Sequence, residues 1–238
     1  MNYGQVRRSL QFFGLANTLY DMTLKTINRF FFFKILNGMK TITLDPANLV
    51  IDEKYRHGFL NEEELKRFTK VPDYELTEEF LDKALKRGDE CYGILHGDIL
   101  VNYSWFSHMP TQIYPEDLFL YFSNEYVYIY KAFTHALYRG QNLQPIGKSL
   151  ALEEYLDMGY SGIISYVESN NFSSLRAVEK TRGEKFGRIY IARIGNRYLI
   201  FCDRGCREHQ FRLEMTASQL QISNTISQPM IGHDHLVS

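Results

Sequence analysis

The residues best suited to chemistry lie in a turn between a predicted strand and a predicted helix. Residues 126–130 have the alternation of a strand, and residues 145–157 have the periodicity of a helix. The first N–H groups of a helix have no intrahelical acceptor, and the helix dipole favours negative charge at that end. Arg139 adds a cation to this turn, and Gly140 lets the backbone approach a ligand closely. The turn therefore suits an anion such as a diphosphate.

A second polar segment follows the next strand along the chain. Residues 162–167 are rich in β-branched residues and predict a strand, and residues 172–181 predict a helix. Asn170 or Asn171 supplies the N-cap of that helix, and Ser174 lies in its first turn. Alternation of strand and helix predicts a local parallel pair within a mixed sheet.

The order and spacing of these two segments resemble the GNAT superfamily of N-acyltransferases. In that family a strand leads into an Arg-Gly turn and a helix, and a second strand leads into an Asn with a small residue three positions later. Arg139 and Gly140 stand at the first motif, and Asn171 and Ser174 stand at the second. The resemblance covers roughly residues 62–202 and lies in order and spacing rather than in any single motif.

The resemblance implies an α/β (α+β) fold with a central mixed, mostly antiparallel sheet, a splayed parallel strand pair, flanking helices and an N-terminal helical extension. The pantetheine arm of acyl-CoA would lie in the gap, and an amine would enter from the opposite end and attack the thioester. Asn171 would bond the arm or its own turn, with Ser174 beside it. The arm would bind near Ala132, Phe133 and Thr134, and the diphosphate would lie on Arg139, Gly140, Gln141, Asn142, Leu143 and Gln144.

Three positions depart from the family pattern. Asn142 and Gln144 replace the two later glycines of the turn, and Val178 stands where a tyrosine commonly acts as general acid. Asn tolerates a left-handed backbone better than most residues, whereas Gln does not. These departures predict a wider phosphate turn or a ligand other than ordinary CoA, and a different proton donor.

Proton transfer needs a base near the amine and an acid near the thiolate. Glu125 and the face of the strand that carries Tyr128 are the candidates for the base, and Ser174 and Tyr166 are the candidates for the acid. Alternation puts Tyr126, Tyr128 and Tyr130 on one face and Glu125 on the other. A half-buried aromatic stripe without a catalytic role is the alternative for these tyrosines.

Composition narrows the class of protein. The 238 residues include 27 Lys and Arg against 28 Asp and Glu, and the net charge of −1 offers no general attraction to nucleic acid. The three cysteines, Cys91, Cys202 and Cys206, do not form a disulfide framework, which favours a cytoplasmic protein. Cys202, Cys206 and His209 are close in sequence but lack a zinc-site spacing, so we expect no metal.

The other predicted elements surround the two motifs. Residues 5–37 predict amphipathic helices that Gly14 interrupts and that Asn37 and Gly38 end. Residues 61–68 and 78–86 predict helices, residues 90–95 and 99–106 a hairpin, residues 125–134 a third strand, and residues 186–194 and 197–202 a final hairpin. The expected division is an N-terminal helical extension (1–40), an acyltransferase domain (41–206) and a polar tail (207–238).

Four consecutive phenylalanines, from Phe30 to Phe33, are unusual near the end of the first helices because they cannot all face one side. They would pack against the core or a second copy in a homodimer, cover an apolar acyl chain, or make a weak contact with a membrane surface.

The sequence therefore predicts an N-acyltransferase that moves an acyl group from acyl-CoA to a primary amine of a small molecule or a peptide side chain. The 17 Tyr and 17 Phe could also line a tunnel for a fatty-acyl donor, carried by CoA or by acyl carrier protein, with an amino acid or peptide as acceptor. The missing glycines and tyrosine leave open a non-catalytic module that binds acyl-CoA.

Overall fold

The computed structural model describes residues 3–115 and 117–215. The described strands are β1 (Phe33–Thr41), β2 (Tyr55–Phe59), β3 (Glu90–His96), β4 (Ile99–Ser107), β5 (Thr111–Ile113), β6 (Leu118–Tyr121), β7 (Tyr126–Thr134), β8 (Gly162–Glu168), β9 (Glu184–Ile194), β10 (Arg197–Cys202) and β11 (Arg212–Met215). The described helices are α1 (Tyr3–Phe30), α2 (Glu62–Phe68), α3 (Glu78–Lys86), α4 (Leu143–Asp157), α5 (Phe172–Glu179) and α6 (Arg204–Glu208).

An eight-stranded mixed sheet organises the molecule, with the strand order β10-β9-β1-β8-β7-β4-β3-β2. Its neighbouring strands pair antiparallel, except that β7 and β8 pair in parallel. A second sheet of three strands has the order β11-β6-β5. The predicted architecture, a mostly antiparallel mixed sheet with one parallel pair, flanking helices and an N-terminal helix, is confirmed.

Helices cover both faces of the large sheet. Leu150, Leu152 and Tyr155 of α4 pack with Phe106 of β4 and Val127 of β7 on one face. On the other face, buried residues of α2 and α3 pack on β3 and β4; they include Leu65, Phe68, Leu81, Ala84, Tyr103 and Trp105. Burial of this aliphatic and aromatic area is the main driving force for the fold.

Local sequence signals set the ends of α2 and α3. Asn61 and Glu64 form a capping box, in which each side chain accepts a hydrogen bond from the other residue's backbone N–H. The Thr77 side chain accepts a hydrogen bond from the backbone N–H of Phe80 and begins α3. Both helices, the two hairpins, β7, α4, β8 and α5 are confirmed to within about three residues, the usual uncertainty of element ends.

The prediction of helix up to residue 37 is wrong. Helix α1 ends at Phe30, and β1 lies in the large sheet between β8 and β9. Gly38, which resembled a helix stop, lies beneath the ring of Phe186, where an added Cβ would approach within 2.5 Å of the ring. A side chain at this position would therefore have to displace the ring of Phe186. Residues 33–40, assigned above to the extension, contribute a strand to the sheet.

At the N-terminal end the expected interruption of the helix is present, whereas at the C-terminal end part of the expected tail is structured. Helix α1 breaks at Gly14, whose φ of 81° and ψ of 172° are not helical, where the sequence indicated an interruption. Within the expected tail, β11 pairs with β6, and Phe211 is buried with Leu213 in the core. Residues 216–238 lie outside the described residues.

Candidate active site

The parallel strands β7 and β8 pair over only three positions. Tyr126, Val127 and Tyr128 pair with Gly162, Ile163 and Ile164. Beyond these pairs, β7 continues to Thr134 against β4, and β8 continues to Glu168 against β1. The strands therefore separate, and a cleft of about 390 Å³ opens between them. We call the paired positions the closed half and residues 129–134 with 165–168 the open half.

Backbone groups line the open half. The cleft is bordered on one side by Ile129 to Thr134 of β7 and on the other by Ser165, Tyr166 and Val167 of β8. In a strand, the N–H and C=O groups of alternate residues point to opposite edges, so those that face the gap have no strand partner. An extended ligand with amide groups can pair with both edges, as an added strand does.

A β-bulge lies where the strands part. The pairing of β4 with β7 shifts so that Phe106 faces Ile129 and Trp105 faces Lys131, which leaves Tyr130 without a partner residue. The Tyr130 hydroxyl donates to Asp89 Oδ2 at 2.8 Å, and Arg87 Nε donates to the same oxygen at 3.1 Å. The bulge and these hydrogen bonds fix the side chain of Tyr130 at the point of separation.

Three tyrosines meet beside this point. The ring of Tyr128 stacks on Tyr130 and on Tyr166, with centroids 6.2 Å and 6.5 Å apart. Tyr126, Tyr128 and Tyr130 pack on one side of the sheet, whereas Val127 and Ile129 pack towards α4, as the alternation predicts. Burial raises the pKa of Tyr128, Tyr130 and Tyr166. At neutral pH their phenols keep the proton and act as hydrogen-bond donors.

The mouth of the cleft is the uncapped start of α4. The Asn142 side chain forms no capping hydrogen bond, and the first donor within the helix is the Ile146 N–H, which bonds the Asn142 carbonyl. Pro145 has no N–H group, so the N–H groups of Leu143 and Gln144 precede the helical pattern. With the helix dipole they can bind an anion at this point.

The two departures from the expected glycines have different structural consequences. Asn142 has φ 60° and ψ 17°, the left-handed conformation that a glycine would adopt, and its amide donates to Asn48 Oδ1 at 3.0 Å. The Gln144 side chain accepts a hydrogen bond from Asn102 Nδ2 at 2.8 Å and donates to Ser104 Oγ at 3.3 Å. Gln144 is thus held against β4 and leaves the helix start open.

Cations surround this mouth. Arg139, Arg176 and Lys180 line a second cavity of about 520 Å³ at the helix start, and none of the described residues that line it is acidic. Within residues 3–115 and 117–215, none of these three cations forms an ion pair. Phe12 and Phe13 of α1 form the opposite wall, where Arg176 donates to the Phe12 carbonyl at 2.8 Å. The mouth combines positive charge with an aromatic wall.

Asn171 and Ser174 adjoin the cleft at the start of α5. The Asn171 side chain accepts hydrogen bonds from the Ser174 N–H at 3.2 Å and from the Ser173 hydroxyl at 2.9 Å. Asn171 therefore holds its own turn as the N-cap of α5. Ser174 lines the cleft opposite Tyr130 and Thr134. Its hydroxyl is in a position to contact a ligand there.

Glu125 lies outside the cleft. It is exposed, immediately precedes β7, and accepts a hydrogen bond from the Ser123 hydroxyl at 3.3 Å. Five residues separate it from Tyr130, or about 16 Å along a strand. Of the three candidate catalytic residues, the structure places Ser174 in the cleft, Tyr128 beside it and Glu125 at the far end of the closed half.

Lys148 is a cleft residue that the sequence analysis missed. It is 6% exposed and donates to Thr41 Oγ1 at 2.8 Å and to Thr181 Oγ1 at 3.3 Å. Burial lowers the pKa of its amine to about 8. Lys148 lines the cleft and links α4 to the ends of β1 and α5. The available signal was its position within a helix that is apolar on most sides, which leaves a lysine little access to water.

The cysteines near the C-terminus are free thiols in the described structure. Cys206 is buried and Cys202 is partly buried, and burial raises the pKa of both. In the part of the chain that the structure describes, no group of three or more His, Cys, Asp and Glu side chains is arranged to hold a metal ion.

Comparisons with known proteins give only distant matches. No protein-family model matches the sequence, and no curated protein matches it. Solved structures with a similar fold include three whose identities with this chain are 15–18%.

A GNAT-family acetyltransferase from Colwellia psychrerythraea is 16% identical over 67% of this chain and 56% of its own, with a TM-score of 0.46. A GCN5-related N-acetyltransferase-like protein from Streptococcus suis is 15% identical over 77% and 68%, with a TM-score of 0.48. An aminoglycoside acetyltransferase from an uncultured soil sample is 18% identical over 56% and 90%, with a TM-score of 0.40. The match to the first spans little more than half of that protein's length.

Proposed function

We propose that the protein is an N-acyltransferase that moves an acyl group from acyl-CoA to a primary amine of a small molecule or a peptide side chain. The observation that carries this proposal is the cleft between β7 and β8, which offers free backbone edges inside and an uncapped helix start at its mouth. The order of the two sequence motifs along the chain is the independent support.

The cleft suits the two chemically different parts of CoA. The pantetheine arm carries amides that can pair with the free edges of the open half, next to Ala132, Phe133 and Thr134. The diphosphate meets the N–H groups at the start of α4 and the cations Arg139, Arg176 and Lys180. The left-handed conformation of Asn142 and the position of the Gln144 side chain against β4 support ordinary CoA, rather than a different ligand, at this turn.

The junction of the open and closed halves is where the acyl group would react. A neutral amine attacks the thioester carbonyl carbon and loses a proton to a base, the C–S bond breaks, and the thiolate takes up a proton. Unpaired N–H groups near the bulge are suited to stabilise the oxyanion of the tetrahedral intermediate. Ser174 and the protonated Tyr166 line the cleft and are the candidate proton donors. Burial raises the pKa of Tyr128, which argues against Tyr128 as the base. Glu125, the candidate base, lies at the far end of the closed half, so we expect it to contribute little to the transfer.

A fatty-acyl donor, on CoA or on acyl carrier protein, is the second candidate because aromatic rings border the cleft at the junction, where the acyl group would lie. These rings belong to Tyr128, Tyr130 and Tyr166. Each CH₂ group that such surfaces bury contributes about 0.8 kcal/mol to binding.

The free thiols of Cys91, Cys202 and Cys206 fit a reducing cytoplasm as the location of the reaction.

The test measures release of free thiol from acetyl-CoA and from decanoyl-CoA across a panel of primary amines, with donor affinity measured by calorimetry. We expect thiol release with at least one amine. Arg139→Ala should weaken donor binding about tenfold, the size of one charge-assisted hydrogen bond. Arg204→Ala is the matched control, because Arg204 pairs with Glu208 on α6, away from the cleft lining.

Three outcomes decide between the candidate functions. Tight binding of either thioester without turnover would identify a non-catalytic acyl-CoA-binding module. A clear preference for decanoyl-CoA over acetyl-CoA would support the fatty-acyl donor, and the reverse preference would reject it. If neither thioester binds, or if Arg139→Ala binds as tightly as the unmodified protein, the proposal is wrong.

A further inference from the structure

Helix α1 presents apolar side chains to solvent. Between Gly14 and the end of the helix, Leu15, Leu19, Met22 and Phe30 are 65%, 54%, 39% and 72% exposed. They follow one another at intervals of three to eight residues and fall on one side of a helix with 3.6 residues per turn. A helix on the surface of a soluble domain normally turns its polar side outward, whereas this side of α1 exposes large apolar side chains. We call these four residues the outer stripe of α1.

Polar contacts on the opposite side hold α1 in this orientation. Thr18, Asp21 and Leu24 are the buried residues of the same segment. Asp21 accepts a hydrogen bond from Asn170 Nδ2 at 2.9 Å, and its side chain lies against the turn between β8 and α5. Because the helix is fixed by this buried carboxylate, it cannot roll the outer stripe inward without breaking the bond.

The charge of α1 is opposite to that of the chain. Residues 3–31 contain one acid, Asp21, and four cations, which are Arg7, Arg8, Lys25 and Arg29. The net charge of this segment is +3, whereas that of the chain is −1. The acid is buried and paired with Lys25, whereas Arg7, Arg8 and Arg29 are exposed. At 3.6 residues per turn Arg29 lies beside the outer stripe, whereas Arg8 and Lys25 line a pocket with Glu168 and Asn170 on the side of α1 that faces the domain.

We propose that α1 docks on an anionic phospholipid bilayer, with the outer stripe in the headgroup and acyl boundary and Arg29 against lipid phosphates. Apolar residues in one stripe, flanked by cations, are the pattern of a helix that lies in a membrane interface. A second copy fits less well, because two-fold pairing would bring two segments of charge +3 together. In the described residues no helix is long and apolar enough to cross a membrane, which makes this a surface contact.

The experiment is co-sedimentation of the full chain with vesicles of phosphatidylcholine alone and with vesicles that also contain roughly 30% phosphatidylglycerol. We expect binding to the anionic vesicles and little binding to the neutral ones. Raising the salt to about 0.5 M should weaken binding, because exposed charges are then screened within a few ångströms. The double variant Leu15→Gln with Leu19→Gln should lower the partition coefficient about tenfold, since it removes two apolar side chains from the interface.

Val50→Gln is the matched control, because Val50 is 75% exposed on a different part of the surface and should leave binding unchanged. Thermal unfolding of the double variant verifies that it is folded, which is expected for exposed positions. Binding that the double variant does not reduce, or the absence of binding to anionic vesicles, overturns the proposal. A dimer in light scattering that the double variant dissociates would assign the outer stripe to a second copy instead.

Discussion

Strands β7 and β8 behave as two different structures along their length. In the closed half, Val127, Ile163 and Ile164 are at most 1% exposed and lie in the core. In the open half, Ile129 and Tyr130 are only partly buried and Ala132 is exposed, although the same strands continue. The first part of the pair supplies stability, and the second leaves backbone groups available to a ligand.

The comparison shows that one strand cannot serve both purposes at the same residues. A backbone N–H that pairs with the neighbouring strand stabilises the sheet and cannot bind a ligand. An N–H without a strand partner must instead bond water or a ligand. The bulge at Tyr130 separates the closed half from the open half, because it interrupts the pairing of β7 with β4 close to where the pairing of β7 with β8 stops. The substitutions that follow test this division.

The largest expected effect is on the core of the closed half. Ile164→Ala should lower the free energy of unfolding by about 2–5 kcal/mol, because it removes a fully buried side chain and leaves a cavity. The matched variant Ile129→Ala, in the open half, should lower it by roughly half as much or less, since Ile129 is only partly buried. Urea denaturation of both variants measures the difference. Equal losses would show that the open half is packed as a core and would remove the distinction.

The second test concerns the lysine beneath the open half. Burial lowers the pKa of Lys148 to about 8 from the usual 10.5, so the folded protein releases this proton at a lower pH than the unfolded chain does. Between these values the unfolded chain binds more protons, and stability should rise with pH by up to about 3 kcal/mol. Below this range both states are charged and the burial penalty is fully present.

Lys148→Met keeps the volume and removes the titration, so the measurement is the difference in unfolding free energy between the two proteins at several pH values. Other groups titrate in both proteins and cancel. The unfolding free energy of the unmodified protein should increase relative to that of the variant as pH rises from 8 to 10.5. A difference that does not change with pH would mean that the amine stays solvated, as it would if water filled the open half down to Lys148.

The third test concerns the turn at the mouth. Asn142→Ala should destabilise the protein by about 1 kcal/mol, because Asn tolerates the left-handed conformation at a φ of 60° better than Ala does. Asn142→Gly avoids the strain of Ala and should recover most of the loss, with melting temperature as the readout. If Gly is as damaging as Ala, the hydrogen bond to Asn48 rather than the backbone conformation determines the stability of the turn.

Much of the fold could be predicted because local signals determine it. The capping residues Asn61 and Thr77, and the alternation in β7, mark elements that the structure reproduces. Strand β1 could not be recognised, since Phe33 follows three phenylalanines in a helical pattern and the reason for Gly38, the ring of Phe186, is distant in sequence. Long-range pairing overrides local propensity at such places.

The candidate site divides in the same way. Arg139, Gly140 and Ser174 line the mouth or the cleft as their motifs indicate. The burial of Lys148 and the bulge at Tyr130 could not be predicted, because both depend on which strands become neighbours. The point at which the parallel pair opens is also a property of packing rather than of any residue in it, and so the sequence could not place Glu125 relative to the cleft.

The smallest expected effect is at Glu125, which the sequence proposes as a base and the structure places at the closed end. Glu125→Gln keeps the shape of the side chain, and we expect less than about threefold loss of kcat/KM, whereas Ser174→Ala should lower it about tenfold if its hydroxyl supplies the proton. Transfer to one amine acceptor, followed across pH, measures both variants. Loss of the acidic limb of the profile in Glu125→Gln alone would place the amine at the closed half. The reacting groups would then meet through the core-like part of the strand pair, and the division between a stabilising half and a binding half would have to be abandoned.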